Sequence, residues 1–406
     1  MKQSQLRILV LGYLVRAPLG GIAWHYLQYV VGLSRLGHDV FFFEDSDDYP
    51  SCYDPVRNLT DADPTYGLGF AARAFERLGL GQRWTYYDAH ADRWRGPAAH
   101  CALALCETAD VVLNVSGVNP LRSWMRDIPA RVLIDTDPGF TQIRHLTDPE
   151  ARARAKQHTV FMSFGENIGQ PGCTVPEDGF SWVSTRQPLV LDAWTPACGS
   201  IHRPLTTVMQ WDSYRSQTHG GVRYGMKADS FGPYLDLPAR TGEAFTLALG
   251  GSRRVQESLA SHGWTILDSR VPTSDPWTYQ DFIAESKAEF SVAKHGYVVS
   301  RTGWFSERSA GYLASGRPVV VQDTGFTRWL HADGGVLAFA EPDEVVTQLD
   351  ALNRSYERHC TMAREVAREY FDSAKVLSRL LALSIDSCLA VGITCWIPKR
   401  KPHSAS

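Results

Sequence analysis

Two doubly wound parallel α/β sheets facing a central cleft are the architecture this sequence predicts, on three observations. The chain has 406 residues, more than one hydrophobic core usually organises, so about two domains are expected. Short continuous apolar runs alternate with helical patterns in two successive series, which is how buried parallel strands and their crossover helices read. Between the series, Glu166 to Arg203 is rich in glycine and proline and lacks periodicity, so the domain junction is placed there.

The first series opens with the apolar run Arg7 to Leu14, the turn Pro18-Leu19-Gly20-Gly21 and a helical pattern on Ile22, Leu27, Val30, Val31 and Leu33. Gly37-His38-Asp39 stops that helix, and Val40 to Phe43 resumes as a strand running into Glu44-Asp45-Ser46-Asp47-Asp48. A helix over Ala98 to Thr108 precedes strands at Ala109 to Val115, Arg131 to Ile134 and Val160 to Phe164. The second series places strands at Leu205 to Met209, Phe245 to Leu249, Thr265 to Leu267, Glu289 to Ala293 and Pro318 to Val321. Helices are expected near Val255 to His262, Tyr279 to Lys287, Ser306 to Ala314, Asp343 to Tyr370 and Ala374 to Ile385, with a loosely held tail after Ser387.

Composition narrows the class. Hydrophobic residues make up 44% and charged residues 21%, ordinary globular usage. A formal net charge of -3 argues against the positive field of a non-specific nucleic-acid binder, so no nucleic-acid partner is expected. The eight cysteines form no Cys-x2-Cys pair, which points to neither a disulfide framework nor a structural zinc, and a cytoplasmic location is expected. Arg16 interrupts the run from Ile8 to Val15, against a signal peptide. No apolar stretch reaches the roughly 20 residues of a membrane span. Arginine outnumbers lysine beside abundant alanine, pointing to a GC-rich, bacterial genome.

Chemistry is expected beyond the carboxyl ends of the strands, near helix N-termini. At Gly20 and Gly21 the missing side chains would let a ligand approach the backbone, or simply permit a tight turn. Gly-x-Gly-x-x-Gly spacing is absent there, which disfavours a dinucleotide site. The densest candidate stretch runs Lys294-His295-Gly296, then Arg301-Thr302-Gly303-Trp304-Phe305-Ser306-Glu307-Arg308-Ser309, then Gly311, Gly316-Arg317-Pro318 and Gln322-Asp323-Thr324-Gly325.

This stretch resembles the donor-binding region of GT-B glycosyltransferases, in which a glycine-rich loop and a helix N-terminus hold a nucleotide diphosphate. The glycine turn, first helix, Leu36-Gly37-His38-Asp39-Val40 and acidic strand end are similar to the acceptor domain of the same class. The resemblance implies two Rossmann-like domains, residues 1–200 binding the acceptor and 201–372 the nucleotide-sugar donor. A C-terminal helix and loose tail over 373–406, crossing back to the first domain, complete the expectation. It also implies a metal-independent hexosyltransferase that uses the nucleotide-sugar as co-substrate, with no cofactor and a small-molecule acceptor, a natural product or nucleoside. A homodimer stays open, as do two alternatives of the same fold, a sugar-nucleotide epimerase and a non-catalytic nucleotide-sugar-binding protein.

The carry-over is imperfect. Counting back from Gly316-x-Pro318, the two glutamates of the class's Glu-x7-Glu motif fall on Gly303 and Gly311. Glu307, four residues before Gly311, would then reach the ribose across the space that glycine leaves. Ser306 is a good helix cap that can also bind phosphate, with Thr302 and Ser309 as further hydroxyls and Arg301 or Arg308 as charge-assisted donors. Lys294 and His295 at a strand end, and Asp323 and Thr324 after another, are sugar or phosphate candidates as well as ordinary turn residues. Arg186, Arg223 and Lys227 are further anion candidates that also suit a surface. For acid–base work His25 and Asp137 stand out, with Asp135 beside the latter. Asp135-Thr136-Asp137 also spells a short metal-binding pattern, which the duplicated-sheet architecture disfavours.

Overall fold

A computed structural model of the chain describes residues 5–196 and 199–390. The first sheet is built from β1 (Arg7–Leu11) and β2 (Asp39–Asp45). A small antiparallel hairpin follows, β3 (Cys52–Asp54) with β4 (Leu59–Asp61). The sheet then continues through β5 (Trp84–Asp88), β6 (Arg93–Arg95), β7 (Val111–Val115), β8 (Ala130–Asp135), β9 (Val160–Ser163) and β10 (Trp182–Ser184). Its spatial order is β10-β9-β8-β7-β1-β2-β5-β6, and every pairing is parallel except that of the edge strand β6.

The second sheet uses β11 (Leu205–Gln210), then, past the hairpin β12 (Gln217–His219) and β13 (Val222–Tyr224), β14 (Phe245–Gly250), β15 (Thr265–Asp268), β16 (Ala288–Ser291), β17 (Val319–Gln322) and β18 (Val336–Phe339). Its order, β15-β14-β11-β16-β17-β18, is parallel throughout. Both sheets thus show the doubly wound form, with strand order reversing beside β1 and beside β11.

Side chains sort by the two-residue period of a strand. Ile8 and Val10 of β1 join one core, whereas Leu9 and Leu11 face the other side with Phe43, Val112 and Met125. The first of these cores continues without a break into Phe305, Tyr312, Leu313, Val319 and Val321 of the second half. The far face of the second sheet packs separately around Leu205, Phe245, Leu247, Phe290 and Val320. The helix Ser373–Ala390 lies against the helix Gly20–Arg35, where a β-carbon on Gly32 would come within 2.6 Å of Leu377, and also against β8 and β9. The tail beyond residue 390 is outside the described residues.

Three departures from the sequence reading have physical causes. The junction is less irregular than expected, because Trp182–Ser184 pairs with β9 as an edge strand. Trp194 is buried there, packed against Trp24 at 5.5 Å and Tyr279 at 6.4 Å. The single helix read over Asp343 to Tyr370 is two, Pro342–Arg354 and Tyr356–Val366, because Ser355 leaves the helical region at φ −143°. The helices Thr65–Arg77, Phe140–Thr147 and Pro149–Ala155 escaped a reading keyed to long apolar runs, since each is short or strongly mixed in polarity.

Candidate active site

The sheets face each other across a crevice lined by the carboxyl ends of β1, β7 and β8 on one side and of β11 and β16 on the other. Three cavities adjoin along it. The central one, about 400 Å³, takes walls from both halves: Gly21, His25 and Asp137 from the first, Lys227, Lys294, Ser306, Glu307 and Arg308 from the second. It shares Tyr13 and Ser116 with a cavity of about 560 Å³ in the first half. At the other end it shares Gln210 and Ser269 with one of about 700 Å³ beside Gly250, Gly251 and Arg270.

On the second-sheet side, Ser306 caps the helix Glu307–Ala314 by accepting from the Arg308 backbone N–H at 3.2 Å. The free N–H groups of that helix end therefore open into the central cavity. Lys227 stands in the same cavity, and its ammonium makes no hydrogen bond or ion pair with any described residue. Burial, and then the neighbouring charge of Arg308, push its pKa well below the ordinary lysine value. An anion is the partner that would restore its charge. Arg308 donates to Glu289 at 2.6 Å, to Ser291 at 2.7 Å and to the Val208 carbonyl at 3.0 Å. Two of its five N–H groups remain for a ligand. The Glu307 carboxylate also faces the cavity with no hydrogen bond or ion pair to a described residue.

On the first-sheet side, His25 rises from the helix Gly20–Arg35, and its Nε2 lies 3.2 Å from Ser116 Oγ. Thr136 and Tyr26 both donate to that oxygen, at 2.8 and 3.5 Å. Its own hydrogen is therefore left for His25 Nε2, which accepts in the neutral ring. Burial lowers the His25 pKa, outweighing the opposing charge of Glu307. Ser116 holds a left-handed backbone, φ 64°, where β7 ends. Gly12 makes this arrangement feasible, since a β-carbon there would sit 2.2 Å from the Tyr26 ring.

Several candidate residues have other employment. Asp137 accepts from Lys294 Nζ at 2.9 Å and from the hydroxyls of Tyr214 and Tyr297, a cross-sheet tether that leaves it poorly disposed to act as a base. Burial alone would raise its pKa, but the Lys294 charge and the three donors hold it below the ordinary carboxylate value. Asp135 is saturated by Thr141, Gln142, Ser163 and the Asp137 backbone N–H. At Gly20 the close approach is made by the second sheet's own chain, not by a ligand: a β-carbon would lie 2.2 Å from the Asp275 carbonyl oxygen. Gly311 makes room for the Trp194 ring, 3.0 Å from where a β-carbon would be, so no gap opens there for Glu307 to cross.

Arg186 pairs with Glu166 and lies over the Trp329 ring at 4.3 Å. Arg223 is exposed and pairs with Asp229 at 2.9 Å on the β12–β13 hairpin. Arg301, Thr302 and Gly303 form a turn clasped by the first half, Asn167 donating to the carbonyls of Arg301 and Gly325 at 3.1 and 2.9 Å. Asp323 caps its own turn through the Gly325 N–H at 2.8 Å, and Thr324 bonds the Trp304 carbonyl. Ser309 is buried inside its helix, and His295 opens the helix His295–Ser300 with Nδ1 buried. None of these nine residues lines the three cavities. Tyr13, Tyr26, Asn114, Ser116, Tyr214 and Tyr279 carried no signal in the sequence beyond ordinary polar or aromatic residues near strand ends.

No protein-family model and no curated protein matches the chain. Solved structures do. One is an alpha-glucosyltransferase in complex with UDP and a 13-mer DNA, 11% identical, with a TM-score of 0.59 over 93% of this chain and 99% of that one. AviGT4, a glycosyltransferase involved in avilamycin A biosynthesis, is 13% identical, with a TM-score of 0.51 over 95% and 98%. Anabaena HepE in complex with UDP-glucose is 11% identical, with a TM-score of 0.52 over 94% and 99%. With two facing doubly wound sheets and their crevice in common with these enzymes, the chain has the GT-B fold, that of the glycosyltransferases it is similar to.

Proposed function

We propose that this protein transfers a hexosyl group from a nucleotide-diphosphate sugar to a hydroxyl of a small acceptor, without a bound metal. The observation that carries the reading is Lys227, a cation without a partner among the described residues, beside Arg308 and the capped N-terminus of the Glu307–Ala314 helix. Dipole, N–H groups and side-chain charge converge there on one anion. The nucleoside lies toward Gly250, Gly251 and Arg270, and the acceptor toward Tyr13 and Ser116. That solved proteins of this fold bind UDP or UDP-glucose supports the assignment.

In the reaction the acceptor oxygen forms a bond to the anomeric carbon while the bond from that carbon to the diphosphate oxygen breaks. The electron pair leaves with the nucleoside diphosphate, whose growing charge Lys227 and Arg308 meet. The acceptor hydroxyl displaces Ser116 Oγ at His25 Nε2 and passes its proton there, to a nitrogen that its lowered pKa keeps unprotonated near neutrality.

The test is thermal stabilisation by UDP, GDP, dTDP, ADP and their sugars, with wild type beside Lys227→Ala and Ser306→Ala. A ligand bound only by the folded state, at about 100 times its Kd, adds ~2.7 kcal/mol, so one nucleotide should raise the melting temperature. Lys227→Ala should weaken that nucleotide about 10- to 100-fold, the worth of one charge-assisted bond. A panel without any response sinks the reading. Consumption of the responding sugar nucleotide only in the presence of an acceptor distinguishes transfer from epimerisation.

A further inference from the structure

The two halves share more than the central cavity. The hairpin of β3 and β4 belongs to the first half, yet its Tyr53 and Asn58 line the cavity of about 700 Å³ beside Gly250 and Gly251 of the second. Contacts on both sides hold it there. The Tyr53 backbone N–H donates to the Arg16 carbonyl at 2.9 Å, which pins β3 to the loop that follows β1. Arg270 reaches the Pro55 carbonyl at 3.5 Å, which joins the hairpin turn to the second half. Burial raises the Tyr53 pKa, and the charges that act on it next are those of Arg270 and then Asp268, so its hydroxyl lies beside that pair.

This cavity differs in chemistry from the anion site around Lys227. Its charged side chains pair with one another, Arg270 with Asp268 at 2.6 Å and Arg253 with Glu257 at 2.8 Å. Leu249, Ala260 and Ile266 add apolar surface, and Tyr53 is the one aromatic side chain among the described residues that line it. Asn58 Oδ1 accepts from the Tyr53 hydroxyl at 2.9 Å, which leaves both N–H groups of the amide without a partner among the described residues. Tyr53 is half-buried and Asn58 exposed, so a ligand can reach both. An aromatic ring, aliphatic walls and amide donors without net charge suit a flat, neutral, polar ring rather than a second anion. Gln210 and Ser269 belong to this cavity and to the central one, so a molecule whose diphosphate lies at Lys227 continues directly into it.

We propose that the acceptor half reads the base of the donor nucleotide: the base stacks on the Tyr53 ring and accepts from the Asn58 amide, between the hairpin and Gly250-Gly251. The inference rests on the transferase reading and deepens it. The second sheet then holds the diphosphate, and the nucleotide is fully bound only where the two halves meet.

Isothermal titration calorimetry on the full chain tests it, with the nucleoside diphosphate that answers in the thermal panel and with inorganic pyrophosphate, which carries the anion without the base. Tyr53→Leu should weaken the nucleotide about 10-fold or more, the worth of one base stacked on an aromatic ring, and leave pyrophosphate affinity unchanged. Asn58→Gly keeps a residue at ease with the native φ of 51° and serves if Tyr53→Leu does not fold. It should weaken the nucleotide about 3- to 10-fold, the worth of one hydrogen bond, again without touching pyrophosphate. Nucleotide affinity unchanged in the folded variant overturns the inference and leaves the transferase reading standing. So does an equal loss for nucleotide and pyrophosphate, which would mean that the hairpin acts through the shape of the crevice and not on the base. If no nucleotide binds to wild type, both fall.

Discussion

At His25, environment rather than residue type sets the chemistry. The ring is half-buried, Ser116 supplies the hydrogen its Nε2 accepts, and burial lowers its pKa below the ordinary value of about 6.5. A base with a lowered pKa stays competent as pH falls until that pKa is crossed. The rate should therefore hold from neutrality down to about pH 6.5 and decline below it. His25→Asn should cost about 10²- to 10⁴-fold in kcat/KM and abolish the acid limb. A limb that persists in the variant assigns the proton to another group. Asp137 makes the complementary point: a carboxylate already holding three donors across the crevice acts as a tether, although its place at a strand end reads as catalytic.

At the scale of elements, glycines mark where two halves of the chain touch. Gly20 opens the helix that carries His25, and its own N–H donates to the Thr273 carbonyl at 2.7 Å. With the Asp275 carbonyl 2.2 Å from a prospective β-carbon, Gly20→Ala must push the two segments apart. A loss of about 1–3 kcal/mol, the usual cost of overpacking, is expected in urea unfolding, with a fall in transfer rate as His25 shifts. Unchanged stability would mean that the segments yield freely. Ser306 bears on the helix at the crevice's other side: loss of the cap alone costs ~1 kcal/mol. A nucleotide response lost together with that stability assigns the residue both roles.

For the whole molecule, the continuity of one hydrophobic core through both sheets decides how the protein unfolds. Val10, Leu27 and Ile134 of the first half share that core with Phe305, Tyr312 and Val321 of the second. Trp24 donates across the boundary to the Pro276 carbonyl at 2.8 Å. Two sheets bound in this way should melt together. Calorimetry is expected to show a single transition whose calorimetric and van't Hoff enthalpies agree. Two resolved peaks would show that each sheet is stable alone and that the Glu166 to Arg203 segment works as a free hinge.

Local pattern alone sets the strands and their kind, because a strand buried on both faces reads as an apolar run: Ile8 to Leu11, Val111 to Leu113 and Val319 to Val321 declare themselves. It also determined the Ser306 cap, since capping is local chemistry. Lys227, Lys294, Glu307 and His25 were legible as candidates for the same reason: polar side chains at strand ends and helix starts fall at the mouth of a parallel sheet. Which of them are free to act depends on contacts that form when the chain folds. Arg186 and Asp137 are consumed by partners distant in the chain and Arg223 by Asp229 six residues on, whereas Lys227 has none among the described residues. Gly20 and Gly311 yield to backbone and tryptophan rather than to ligand. Asn114 acquires an unmet oxygen only because His158, 44 residues away, presents an acceptor to its nitrogen. Whether a polar group is satisfied depends on long-range neighbours, and those are not encoded in any local pattern.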